Sequence, residues 1–219
     1  MSSKNSLTIS NQPRMTWWER HMVPRLIGCC CAQPQIMKAR SRVVPLAEGD
    51  VLELGCGGGI NLGFYDRTRV KSLTGLDPSP GLLDQTRAMM QATGMTADIH
   101  AGIGEAMPFA DARFDTVLVT FTLCSVHQPQ QVLAEMRRVL KPGGKVLFLE
   151  HGRAPDVDVQ TWQRGIEPLW KRIGGNCHLT RPITGSYADA GFKIAQAEKG
   201  YMPKTPRPFG WIEWGEARI

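Results

Sequence analysis

The sequence predicts an α/β fold: a seven-stranded, mostly parallel sheet with helices on both faces and an antiparallel pair of strands at one edge. Three observations carry this. From Asp50 to Glu150, short apolar runs of strand length alternate with helix-length stretches of 3.6-residue period, the pattern of βαβ units. Phe114 to Phe121 is near-continuously apolar, as a strand covered on both faces should be. The last third instead holds two strand-like stretches with no helix between them, which should pair antiparallel.

The elements follow in order. Met1 to Pro13 is a polar arm. Thr16 caps a helix from Trp17, with Glu19 three residues on as its capping-box partner; Pro24 interrupts it and Met37 to Val44 resumes it. Asp50 to Leu54 reads as a buried strand that leaves directly into Gly55-Cys56-Gly57-Gly58-Gly59 and then opens a helix. Ser72 to Leu76 is the second strand, ended by Asp77-Pro78. Gly81 to Thr93 is helical by period (Leu82, Leu83, Thr86, Met89, Met90) and stops at Gly94. Asp98 to Ala101 is a weak strand and Phe114 to Phe121 a strong one. Pro129 to Leu140 is a helix broken by Lys141-Pro142-Gly143-Gly144, and Lys145 to Glu150 is the fifth strand. Val157 to Ile173 is helical apart from Gly165 and Pro168, and Thr184 to Ala190 is a short helix stopped by Gly191. Phe192 to Lys199 and Gly210 to Arg218 are the edge strands, joined by a loop containing Pro203, Pro206 and Pro208.

This is one domain of 219 residues in three zones: an arm and helical cap over 1–49, a core over 50–151, and an insert with the edge strands over 152–219. At 42% hydrophobic and 21% charged, the composition is that of a chain with a real core. Residues 1–16 lack the apolar stretch of a secretory signal, and the run Leu26 to Ala32 falls far short of a membrane span. Six cysteines at 29, 30, 31, 56, 124 and 177 do not form a disulfide framework, so a reducing cytoplasm is expected. Contiguous Cys29-Cys30-Cys31 invites a metal or metalloid reading together with Cys177-His178, but contiguous cysteines do not close a compact tetrahedral site as CxxC pairs do, and no metal is expected. The net charge of +6 sits in the flanks: residues 1–50 carry seven basic and three acidic groups, whereas 51–151 carry nine and ten. Without a basic block, nucleic acid is not an expected partner, while peripheral contact with a membrane surface is compatible with the charge.

The chemistry is concentrated after the first strand. Glycines there permit positive φ and let a ligand approach bare backbone. A dinucleotide fingerprint wants Gly or Ala at the place of Ile60, which argues against a nicotinamide-dependent oxidoreductase. Asp77 ends the next strand, 22 residues after Gly55, where a carboxylate can take both hydroxyls of a ribose. Gly104-Glu105-Ala106-Met107-Pro108-Phe109 then precedes the fourth strand, and Leu140-Lys141-Pro142-Gly143-Gly144 the fifth. In this order and spacing, Val51 to Glu150 resembles the class I S-adenosylmethionine-dependent methyltransferases of the small-molecule type, with their Rossmann-like sheet. The resemblance implies S-adenosylmethionine as methyl donor and S-adenosylhomocysteine as product. It puts Gly55, Gly57 and Gly59 under the methionine moiety, Glu53 at its amino group directly or through water, and Asp77 at the ribose, with Cys56 and Pro78 also in the cofactor set. Gly104, Glu105 and Thr120 complete the cofactor set. Many members carry an Asp at the place of Ile103 to accept from the adenine amino group; isoleucine cannot, which leaves adenine to the Gly104 backbone and apolar packing.

Further phrases resemble the animal methyltransferase-like alkyl-thiol methyltransferases: Thr122-Leu123-Cys124-Ser125-Val126, Glu150-His151, and Glu167-Pro168-Leu169-Trp170-Lys171 through Asn176-Cys177-His178-Leu179-Thr180-Arg181. They imply a small, fairly apolar acceptor, with an alkyl thiol as the specific expectation. Quinone-ring and phospholipid-amine methyltransferases share the core motifs and are the alternatives; a non-catalytic cofactor-binding module is another. A thiol must lose its proton to become a good nucleophile, which calls for a base. His151 is the first candidate because strand C-terminal ends line the crevice of such sheets, and His127 the second. Trp17, His21, Cys124 and His178 are the expected acceptor-pocket residues.

Overall fold

The computed structural model describes residues 33–219, so the predicted Trp17 helix, Trp17, His21 and the three contiguous cysteines lie outside the described residues. Among the described residues, seven strands form one sheet: β1 (Gly49–Leu54), β2 (Val70–Asp77), β3 (Asp98–Ala101), β4 (Phe114–Thr120), β5 (Leu140–His151), β6 (Lys193–Tyr201) and β7 (Trp211–Arg218). Their order is β3-β2-β1-β4-β5-β7-β6. The first five run parallel, and β7 pairs antiparallel with both β5 and β6. The fold class and the edge arrangement are as the sequence predicts.

Alternation along the buried strands assigns the two faces. Leu52, Leu54, Val117, Val119, Val146 and Phe148 point to one core, which α3 (Pro129–Val139) and α5 (Ile183–Asp189) close with Val132, Leu133, Met136, Ile183 and Tyr187. Val51, Leu118, Leu147 and Leu149 point to the other core, where Ile36 and Val43 of α1 (Pro34–Val43) pack. The amphipathic α2 (Pro80–Thr93) follows β2, and Gly94 ends it with φ +66°.

Several local expectations are corrected. The glycine loop does not open an α-helix. It leads into a single 3-10 turn, Ile60–Gly63, because the Asn61 side chain turns inward to Glu53 and Thr120 and Asp66 then ties back the Thr68 N–H. Strand β5 starts at Leu140, not Lys145. Leu140 pairs with Phe114, and the intervening residues through Gly144 bulge before Lys145 rejoins opposite Thr116. Strand β4 stops one residue early because Phe121 takes a left-handed φ of +53°. Helix α4 (Val157–Ile173) runs through Pro168 without a break. Its start is held by the buried Gln163, which accepts from Ala154 N and donates to the Gly152 and Pro208 carbonyls.

Candidate active site

The C-terminal ends of β1, β2, β4 and β5 converge on one side of the sheet, and their sequence-predicted residues fall into two groups. The first surrounds the glycine loop. Gly55, Gly57 and Gly59 all have positive φ, but for different reasons. A Cβ on Gly55 would overlap the Thr122 side chain, and one on Gly59 would meet the Thr86 backbone at 3.1 Å. A Cβ on Gly57 would find only the Gly55 carbonyl at 3.9 Å, which is open space beside Asp77. Asp77 is 6% exposed; its Oδ2 accepts from Gly57 N at 3.0 Å and its Oδ1 from Ser79 N at 2.9 Å. Burial outweighs these two bonds and raises its pKa. A carboxylate left underserved at the mouth of a bare-backbone loop fits a sugar diol. Pro78 beside it is exposed, and Cys56 is buried with its thiol pushed up by desolvation.

Below the loop lies a polar network that carries Glu53 and Thr120. Glu53 accepts from Tyr65 Oη at 2.7 Å and Asn61 Nδ2 at 2.8 Å. Arg40, reaching in from α1, donates to Asn61 Oδ1 and Thr120 Oγ1. Burial pushes the Glu53 carboxyl up to about 7 against the pull of these partners. Gly104 is buried between Val132 and Leu54, and Glu105 accepts from the His127 and Gln128 backbone N–H groups where α3 begins.

The second group centres on the turn after β4. Glu150, fully buried at the end of β5, accepts from Thr122 N and Leu123 N at 2.9 Å and from Cys124 N at 3.1 Å. From the other side, Arg181 donates to the Leu123 and Val126 carbonyls, Asn176 Nδ2 to Ser125 O, and His178 N to Cys124 O. The turn is thus clamped on its N–H groups and on its carbonyls. Within it, Cys124 Sγ lies 3.6 Å from Cys177 Sγ, and Cys177 Sγ lies 3.7 Å from His151 Nδ1. The His151 ring packs on Phe121 at 4.8 Å between centroids, and the Arg40 guanidinium lies 5.2 Å from the centroid of the same Phe121 ring. The sulfur pair takes its first negative charge at Cys177. There the Cys124 thiol, then His151 and the Trp170 indole stabilise a thiolate against burial, whereas the same sulfur contact and desolvation push Cys124 well up.

Of the sequence-predicted base and acceptor-pocket residues, the structure brings together His151, a base candidate, and Cys124, a pocket candidate. His127 stands exposed just before α3, outside the group of donor atoms formed by Cys124, His151 and Cys177, and its backbone serves Glu105. His178 points its Nδ1 to Glu167 at 3.3 Å, and burial lowers its pKa. Glu167 is further held by the Thr180 N–H and hydroxyl. Sequence reasoning missed Arg40, Glu150 and Arg181 as site residues, and weighed Cys177 only as a companion of the three contiguous cysteines, not of Cys124 and His151. Cys177 and Arg181 stood within a family-like phrase, but nothing in their spacing marked which strand end they would reach.

The comparisons with known proteins agree with this geometry. Residues 52–148 match the methyltransferase domain family. The chain is 39% identical over 172 residues to the rat thiol S-methyltransferase TMT1B, a match covering 77% of this chain and 68% of that protein. It is 33% identical over 145 residues to human thiol S-methyltransferase TMT1A, covering 63% and 57% respectively. The matched stretches therefore span about two-thirds or less of these relatives' length. A solved S-adenosylmethionine-dependent methyltransferase from Mesorhizobium loti superposes with a TM-score of 0.65 at 18% identity, over 86% of this chain and 99% of that one, and so shares the fold. With the sheet order, the glycine loop and the length of the TMT1B match taken together, the chain belongs to the class I S-adenosylmethionine-dependent methyltransferases, as a relative of the TMT1 proteins.

Proposed function

We propose that this enzyme methylates the sulfur of a small, fairly apolar alkyl thiol. The observation that carries the substrate class is the 172-residue match to TMT1B, which is longer than the methyltransferase domain itself. The acceptor end supports it: Cys124, Cys177 and Leu179 form an apolar cluster with Trp170 and Phe209, and His151 borders it.

When bound, S-adenosylmethionine supplies an electrophilic sulfonium methyl group. The chain's own residues have four tasks. Gly57 offers bare backbone, with Gly55, Cys56 and Gly59 shaping the loop around it. Asp77, next to Pro78, keeps a second lone pair on each oxygen for the ribose hydroxyls. Glu53, steadied by Thr120 through Asn61 and Arg40, receives the amino group, while Gly104 and Glu105 border the adenine side. His151, whose Nδ1 faces Cys177, has Nε2 as the nitrogen to take the acceptor's proton, imidazole being the side chain that exchanges protons most readily near neutrality. His127 is the second candidate, and His178, Trp17 and His21 stand as further acceptor-pocket candidates.

Among the described residues no helix is long and apolar enough to cross a membrane. Peripheral membrane contact is supported by Trp162, Leu169 and Ile173, exposed along one face of α4. A cytoplasmic location is supported by the close Cys124–Cys177 pair, which an oxidising compartment would put at risk. The function is tested by calorimetry with S-adenosylhomocysteine and by mass spectrometry of a thiol, quinone and amine panel. Tight binding and the mass gain of one methylene on the thiols are expected; turnover of quinones or amines alone would refute the substrate class.

A further inference from the structure

Among the described residues, Cys124, His151 and Cys177 stand out as three metal-ligating side chains whose donor atoms all lie within 4.8 Å of one another. Against the sequence expectation of no metal, we propose that they form a three-donor site for a thiophilic divalent cation of the zinc type. The distances support it. A tetrahedral zinc with bonds of about 2.3 Å to sulfur and about 2.0 Å to nitrogen has edges of about 3.8 Å between sulfurs and about 3.5 Å between sulfur and nitrogen. Here the Cys124–Cys177 sulfurs are 3.6 Å apart and Cys177 Sγ is 3.7 Å from His151 Nδ1, while the remaining Cys124–His151 edge lies within 4.8 Å.

The supporting shell is also built. Glu150 and the His178 N–H fix the backbone on both sides of Cys124. The Phe121 ring orients His151, on a residue whose left-handed φ of +53° is a local backbone strain. His178, the neighbour of Cys177 in sequence, is engaged by Glu167 and does not compete. Two thiolates and one imidazole leave the fourth tetrahedral position open, the arrangement of sites that bind a reactant rather than merely staple a fold. That position suits the acceptor's sulfur, a role that rests on the thiol reading above. The acceptor's S–H bond breaks, its proton goes to solvent, and its lone pair forms a metal–sulfur bond. His151 then serves acceptor deprotonation as a ligand in place of a base.

The test is Co²⁺ titration of the reduced, metal-stripped full chain under argon. One equivalent should bind, with the intense visible bands of a tetrahedral ion and a near-ultraviolet sulfur-to-cobalt band. Cys124→Ala, Cys177→Ala and His151→Gln should each weaken binding at least tenfold, and the cysteine variants should lose part of the near-ultraviolet band. His151→Gln, at a half-buried position, guards against a core variant that does not fold, with circular dichroism as the check. Absence of the near-ultraviolet band in the parent, or equal affinity in folded variants, overturns the site. So does a Cys124–Cys177 disulfide that persists in the reduced sample. Ethanethiol added to the cobalt protein should intensify the sulfur-to-cobalt band; no change overturns the acceptor position. These readouts require no turnover, so their failure is distinct from a failure of thiol methylation, which mass spectrometry reads separately.

Discussion

Glu53→Gln is the most informative single perturbation, because it reads the buried network under the glycine loop through a pH slope. The Glu53 carboxyl is 2% exposed, and its pKa rises from 4.5 to about 7 because burial outweighs the hydrogen bonds from Tyr65 and Asn61. A raised folded-state pKa means that the native protein binds this proton more tightly than the unfolded chain. The contribution to stability is therefore complete below about 4.5, falls as pH rises toward 7, and is lost above it. At about 1.4 kcal/mol for each pKa unit, the loss amounts to about 3 kcal/mol across that window. Glutamine keeps the shape and cannot titrate, so its own contribution is flat. Its amide nitrogen will face Asn61 Nδ2 or Tyr65 Oη, which sets a constant offset but no slope. Urea unfolding midpoints from about pH 5 to 8 give the difference between wild type and variant. The wild type should lose stability relative to Glu53→Gln by about 2–3 kcal/mol over that range. Parallel curves would show that Glu53 is ionised throughout and that the network, not burial, sets its charge.

Other expectations follow from the same geometry. Asp77→Ala should weaken S-adenosylhomocysteine binding by about 1–3 kcal/mol in calorimetry, the scale of hydrogen bonds to a charged group; unchanged affinity would remove the ribose assignment. Gly57→Ala and Gly59→Ala both force a left-handed alanine, which costs about 1–2 kcal/mol. Only the Gly59 methyl meets backbone closely, at Thr86, so thermal melts should show the larger loss there, while calorimetry should show Gly57→Ala weakening cofactor binding. Glu150→Gln turns an amide N–H₂ toward one of three backbone donors and should cost about 1.5–3 kcal/mol of stability. Hydrogen exchange at Thr122 to Cys124 should speed up with it, and an unaltered exchange pattern would show that the turn is held from the insert side alone.

The sheet and the place of the glycine loop were legible in the amino-acid order, because both rest on local patterns. Apolar runs of strand length, Gly94 as a helix stop, and glycines followed at fixed spacing by Asp77 are read within one or two elements. Local patterns fail where a side chain recruits its neighbours. Asn61 turns inward to Glu53 and so converts the expected helix after the loop into one 3-10 turn, and Leu140 joins the sheet ahead of a bulge. The second half of the candidate site exists only in the folded chain. Cys124, His151 and Cys177 sit on β4's exit, β5's end and the insert, far apart in the chain. The parallel pairing of β4 with β5, and the clamp of Arg181 and Asn176 on the Cys124 turn, bring their donor atoms together. Spacing rules see ligands that share a helix or a loop; they do not see three side chains that meet because separate strands end side by side.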